Sequence, residues 1–270
     1  MIRIEHLRAG LSTLLVQQLV LLGTFFILPV YLQVVVGLDA FQTGIKLVPM
    51  SVAMLIAAVS GPRLAARGSP KRVAQLGLLS VALGAVLVLA TLDVELSDVG
   101  FAIGLAIFGV GAGLLASQLG NVIMSAAPPD QTNEAGGLQG TAQNLGASLG
   151  TAFIGAILLI GLTSGFASRI EDDPALPVEL RTQLAEQARA TGLQVVTVDQ
   201  VAEFATAAGL PPDQVAAVAN DYGEAQLAGL RLALGAVAVF SILGLWFTRR
   251  LPAHQGAEQD AEPATPPAPA

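Results

Sequence analysis

Cysteine is missing from all 270 residues, which leaves no disulfide frame and no thiolate chemistry. Histidine occurs only as His6 and His254, both outside every long apolar run. Charge is also scarce: 12% of residues carry it, with a formal net of −7, where soluble domains hold roughly a quarter. What charge there is avoids whole regions. No Asp, Glu, Lys or Arg occurs from Ala9 to Leu38, Val99 to Pro129, Ala135 to Ser168 or Leu232 to Thr248. A helix of about 20 apolar residues crosses a bilayer core. Hydrocarbon offers no partner to a free N–H or C=O, so each crossing must be helical. The chain reads as an integral membrane protein. Its first apolar run far exceeds the roughly 7–15 residues of a signal-peptide core and is better taken as the first span.

Six spans are expected, at Ala9–Val35, Gln42–Arg63, Val73–Leu92, Val99–Ala126, Ala135–Thr163 and Ala225–Thr248. The second has a short uncharged core, Leu47 to Pro62, so Lys46 must lie inside the helix and extend its ammonium toward the interface. Pro49 is placed near its start, where a missing N–H is tolerated. Connectors on one side hold Arg3, Arg8, Arg63, Arg67, Lys71, Arg72, Arg249 and Arg250; "VGLDAF" and "TLDVELSD" on the other hold no Lys or Arg. The positive-inside rule puts the basic side in the cytoplasm, with both termini, residues 1–8 and 249–270.

Residues 164–224 then fall outside, and their arginines do not upset this, because long loops translocate largely regardless of charge. "LPVELRTQLAEQARATG" has proline at a helix start and glycine at its stop. "TVDQVAEFATAAG" opens with Thr197 and Gln200 spaced as a capping box, and "PPDQVAAVANDY" suggests a third helix. A small helical extracellular cap between spans five and six is expected. The tail after Pro252 is Pro/Ala/Glu-rich with nothing to bury and is expected to be disordered.

Amides are unevenly spread: Gln17, Gln18 and Gln33 in span one, Gln118 and Asn121 in span four, Gln139, Gln143 and Asn144 in span five. Intramembrane polar groups usually face the bundle interior or a wet cavity. Interhelical hydrogen bonding, at about 1 kcal/mol each, is one reading; a cavity lined by spans one, four and five is the other. Gly100/Gly104, Gly109/Gly113, Gly136/Gly140 and Gly146/Gly150 have GxxxG spacing, which suits close helix approach. "GASLG" around Ser148 matches a nucleophile elbow, but that motif needs a strand–turn–helix and a nearby histidine. Here it lies in mid-span. With no metal cluster, cofactor motif or phosphate-cradling loop, the sequence does not read as an enzyme, nor as a partner of nucleic acid.

The run "LPVYLQVVVGLDAFQTGIKLVPMSVAML" resembles the first two helices of the C-terminal half of a fourteen-helix drug:proton antiporter of the major facilitator superfamily. "GVGAGLLASQLGNVIMSAAPPDQTNEAGGLQGTAQNLGASLGTAFIGAIL" resembles that branch's glycine-rich helix pair, and the outer loop with "GEAQLAGLRLALGAVAV…RRLP" its large extracellular segment and last helix. "PRLAARGSPKR" is similar to the superfamily's cytoplasmic signature, roughly G-x-L-A-D-R-x-G-x-[KR]-[KR]. Leu64, Ala65, Arg67, Lys71 and Arg72 match; Pro62 and Ser69 replace glycines, and Ala66 replaces the aspartate that supports gating in the family.

The resemblance implies an all-α half with a 3+3 inverted repeat, spans one, two, four and five lining a midplane cavity, and alternating access. It implies proton-coupled efflux of apolar or cationic small molecules across the plasma membrane, with no cofactor. Gln17, Gln33, Gln118, Asn121, Gln139, Gln143 and Asn144 are the candidates for substrate contact or helix pairing, and Arg63, Arg67, Lys71 and Arg72 for a cytoplasmic gating loop. None of the spans holds Asp or Glu, and Lys46 is the charge well inside one. In the family the coupling acids sit in the N-terminal half, so the chain is expected to need such a half, or a second copy of itself. An inactive fragment or a non-transporting scaffold is the alternative.

Overall fold

The computed structural model describes residues 5–92, 98–125 and 131–248. Arg3, Arg249, Arg250, His254 and the expected disordered tail lie outside them, as do the side chains of His6 and Asn121. The described chain is helical throughout: α1 (Glu5–Val30), α2 (Ala40–Arg67), α3 (Pro70–Ala90), α4 (Asp98–Ser125), α5 (Thr132–Asp172), α6 (Val178–Thr191), α7 (Val198–Ala207) and α8 (Pro212–Thr248). Six of these are long and apolar enough to cross a membrane.

Local chemistry sets the helix ends. Pro29 lies inside α1, where its ring removes a backbone donor and crowds the preceding turn. Two residues later the helix widens into a π-helical turn, Tyr31–Val35. Tyr31 of that turn is buried, its ring centroid 6.0 Å from that of Phe101 in α4. Gly37 (φ 76°) then reverses the chain. Asp39 starts α2 through a capping box: its Oδ1 accepts the Gln42 N–H at 2.8 Å, and Gln42 Oε1 accepts the Asp39 N–H at 3.2 Å. Pro49 and Pro62 both lie inside α2, so Pro49 is an interior proline and not the first-turn proline its sequence position suggested. The α2–α3 turn is only Gly68 and Ser69, with Ser69 Oγ accepting the Arg72 N–H at 3.2 Å and Pro70 in the first turn of α3.

The packing exchanges partners between the first three and the last three spanning helices. α2 packs chiefly on α4, and α5 on both α1 and α8; α3 lies against α4 and α8, with α1 also touching α4 and α8. Swapping α1, α2 and α3 for α4, α5 and α8 carries the α2–α4 seam onto the α5–α1 seam. This one matched pair of seams fits two three-helix repeats, while the α5–α8 contact, enlarged by the ends of both helices, has no equal between α2 and α3.

Glycines set both seams. A methyl group at Gly109 would come 2.2 Å from the Met50 carbonyl oxygen, and one at Gly113 2.2 Å from that of Met54. On the other seam Gly146 and Gly150 would meet the Leu15 and Leu19 carbonyl oxygens at 2.5 and 2.3 Å. Gly136 and Gly140, with the same spacing, face open space. Identical spacing therefore serves packing at two pairs and leaves a smooth uncovered surface at a third.

Two lengths differ from the sequence expectation. α5 does not stop at Thr163 but runs to Asp172, and α8 begins at Pro212, fusing the expected third cap helix with span six. Nothing between Asp213 and Thr248 breaks the helix, since the glycines there are covered by packing or tolerated at helical φ. The cap is thus α6, α7 and the projecting ends of α5 and α8, around a separate apolar core of Leu162, Phe166, Ile170, Leu176, Val218 and Tyr222.

Candidate functional site

α5 carries three distinct faces. Gly146, Gly150, Ile154, Leu158 and Gly161 are buried against neighbouring helices. Leu145, Phe153, Ala156 and Ile160 are exposed and oily, which suits hydrocarbon. A third stripe, Gly137, Thr141, Asn144, Ser148 and Thr151, repeats every three or four residues and is exposed along its whole length. Thr141 and Thr151 donate to the Gly137 and Ala147 carbonyls at 2.9 and 3.2 Å, which leaves their oxygen lone pairs outward. With the threonine hydroxyls already bonded, Asn144 is the side chain of this stripe most costly against lipid, which makes the stripe a candidate wet or protein-covered boundary.

α1, the helix α5 packs on, adds a second stripe at the same spacing: Gln18, Leu22, Phe25, Pro29 and Gln33, all half-buried or exposed. Together the two stripes make a mixed surface with amide and hydroxyl groups, one aromatic ring and small residues. Such a wall can hold an apolar or weakly polar molecule by contact and a few hydrogen bonds; it has no charged group with which to do acid–base chemistry.

The amides singled out from sequence are split by this geometry. Asn144 and Gln33 are exposed, and Gln139 and Gln143 half-buried. Gln17 is 3% exposed and its Oε1 has no partner among the described residues. Gln118 is 1% exposed and donates Nε2–H to Ser117 Oγ at 3.1 Å. These two are turned into the half. Asn121 lies on α4, its side chain outside the described residues. Sequence reasoning missed Thr141, Ser148 and Thr151 because it weighed amides and passed over hydroxyls; a three-four repeat of small polar residues was the available signal. Ser148 takes its place here as part of that surface.

Charges gather at the two ends. Lys46 Nζ lies 2.5 Å from Asp98 Oδ1, joining α2 to α4 at the cap end, with the side chains 28% and 66% exposed. Arg231 donates to the Leu92 carbonyl at 2.8 Å, holding α8 against the end of α3. An ion pair this exposed is worth about 0–1 kcal/mol. Asp98→Asn should therefore shift thermal unfolding in detergent only slightly; loss of folded protein would show the pair to be shielded from water. At the opposite end Arg63, Arg67 and Arg72 are exposed without a carboxylate partner among the described residues. Ala66 cannot supply one, and Lys71 is half-buried beside them.

In the cap, Asp221 of α8 is 8% exposed with Oδ2 unpaired. Burial, with Asp173 and Glu224 adding and Arg169 opposing, pushes its carboxyl up to about 6. Arg169 pairs with Glu224. Arg189 clamps Glu171 through two bonds of 2.5 and 2.6 Å, which holds the Glu171 carboxyl below its usual range.

Six apolar rods, with an uncovered polar wall and a helical cap, define an all-α membrane-spanning unit. Residues 3–151 match the family model of the Major Facilitator Superfamily, and the chain belongs to that family. It is 26% identical over 273 residues to the tetracenomycin C resistance and export protein of Streptomyces glaucescens, covering 98% of this chain and 48% of that protein. It is 27% identical over 205 residues to the multidrug efflux pump LfrA of Mycolicibacterium smegmatis, covering 73% and 40%. With multidrug resistance protein Stp of Mycobacterium tuberculosis the identity is 26% over 235 residues, covering 84% and 42%. The fold is similar to that of the Escherichia coli fucose:proton symporter, at a TM-score of 0.57 and 15% identity, over 92% of this chain and 49% of that one. The chain spans about half the length, or less, of these relatives.

Proposed function

We propose that this chain is the C-terminal six-helix half of a fourteen-helix efflux transporter that exports apolar or cationic small molecules in exchange for protons. It works with an N-terminal half, in the same or a separate polypeptide, by rocking about a cavity between them. The uncovered wall of α5 and α1 carries this reading. Gly136, Gly137 and Gly140 have nothing within 4 Å among the described residues, and Asn144, Ser148 and Thr151 continue the open surface; a second helical unit laid on it would close a polar-and-apolar chamber. From Gly137 to Thr151 the wall carries no carboxylate, and Glu134 is exposed one turn before it at the helix end; we assign the proton-coupling acids to the other half. The resistance and export functions in the names of the relatives favour drug-like substrates.

The cation-bearing end faces the cytoplasm of a plasma-membrane protein and the cap faces outward. An impermeant thiol reagent on intact cells should label Glu203→Cys and not Arg67→Cys; the opposite pattern would invert the topology. In proteoliposomes under an imposed pH gradient the chain alone should move no dye, and an N-terminal half should restore transport. Ser148→Phe should leave the fold intact and lower that restored transport by tenfold or more. Transport by the isolated chain would replace this reading with a homodimeric carrier, and wild-type rates in Ser148→Phe would remove the α5 wall from the pathway.

A further inference from the structure

Inside the cap lies a cavity of about 480 Å³, within the roughly 300–1,000 Å³ range of pockets that hold drug-sized molecules. Its floor is Phe166 of α5 with Val218 and Tyr222 of α8; α6, the 193–196 segment and α7 wall it. The space exists because small side chains line it. Ala188 of α6 and Ala205 and Ala208 of α7 stand where larger core residues would close the gap. At its edge Phe204 is 66% exposed although it lines the pocket. Water gains nothing from that ring, whereas an apolar occupant would cover it.

The chemistry of the lining limits the ligand. Among the described residues no charged side chain lines the cavity. The Tyr222 hydroxyl is already committed: it donates to the Gln194 carbonyl at 2.7 Å and accepts the Val196 N–H at 3.0 Å. The side-chain amides of Gln187 and Gln194 make no hydrogen bond among the described residues, so they supply donors and acceptors at the rim.

We infer that the cap cavity is a binding site for an uncharged, largely apolar small molecule carrying a polar group that meets the Gln187 and Gln194 amides. The site is separate from the α5–α1 wall and does not depend on the transport reading, because binding needs neither a second half nor a pH gradient. Its floor belongs to α5 and α8, so an occupant bears directly on how those two spanning helices pack.

The test uses the whole chain in lipid nanodiscs. An uncharged aryl diazirine should photolabel peptides within residues 184–222, and N-phenyl-1-naphthylamine should suppress that labelling saturably. Labelling of lipid-facing helices should not saturate. Ala208→Trp, which fills the cavity from its exposed edge, should raise the competitor concentration needed by tenfold or more. Gln187→Glu, on the exposed face of α6, should raise it several-fold without touching the core. The inference is overturned if cap labelling is not saturable, or if both variants compete like wild type. It is equally overturned if protection follows the lipid-to-protein ratio and not the competitor, since an acyl chain would then be the occupant.

Discussion

Gly150→Leu should leave little folded protein. The added side chain starts 2.3 Å from the Leu19 carbonyl oxygen and 2.8 Å from its Cα, and neither backbone atom can move without parting α5 from α1. Overpacking a core commonly costs about 1–3 kcal/mol and occasionally more; here the obstacle is main chain, so the cost belongs at or above the upper end. Gly140→Leu is the control. It has the same kind of neighbours in sequence, lies in the same helix and meets nothing within 4 Å. Size-exclusion profiles and thermal unfolding should show Gly150→Leu aggregated or lost and Gly140→Leu close to wild type. Gly140→Leu should nonetheless fail to support transport with an N-terminal half, because it roughens the proposed mating surface. Equal stability of the two variants would refute the seam.

A second large effect is expected in the cap. An unfolded Asp221 ionises near 3.8, while in the fold it keeps its proton up to about 6. The folded form therefore binds more protons than the unfolded one across that interval, and stability falls as pH rises through 6. Between pH 5 and pH 8 the loss should be about 1 kcal/mol, and Asp221→Asn should add roughly 2 kcal/mol at pH 8. Glu171 does not blur this window, because its lowered carboxyl acts in the opposite sense and only in more acidic solution. Thermal unfolding in mild detergent at several pH values is the measurement. A slope unchanged in Asp221→Asn would assign the pH dependence to another group.

Much of the architecture is legible in the residues. Charge-free runs locate the spanning helices, Thr197…Gln200 marks a helix start, and Gly192 and Gly209 close the cap helices at positive φ. What cannot be read is which neighbour each face meets. Gly136/Gly140 and Gly146/Gly150 look alike as sequence, and only the position of α1 separates an open surface from a packed seam. Gln118 and Asn144 are both amides in mid-span, yet one is buried beside Ser117 and the other exposed. Pro49 reads as lying near the start of a helix beginning at Gln42, but the capping box at Asp39 starts α2 earlier and leaves Pro49 in the helix interior. The length of α8 was hidden for a related reason: polar composition from Asp213 to Glu224 looks like a separate helix when nothing in sequence marks a join.

The exchanged pairing of α2 with α4 and of α5 with α1 also dictates an order of biogenesis. When α2 leaves the insertion machinery, the rod it will lean on has not been synthesised, and it buries little beyond Thr43, Met50, Ala57 and Gly61 even in the finished fold. Its oily exterior lets it wait alone among lipids, until translation of the second triplet clasps the first.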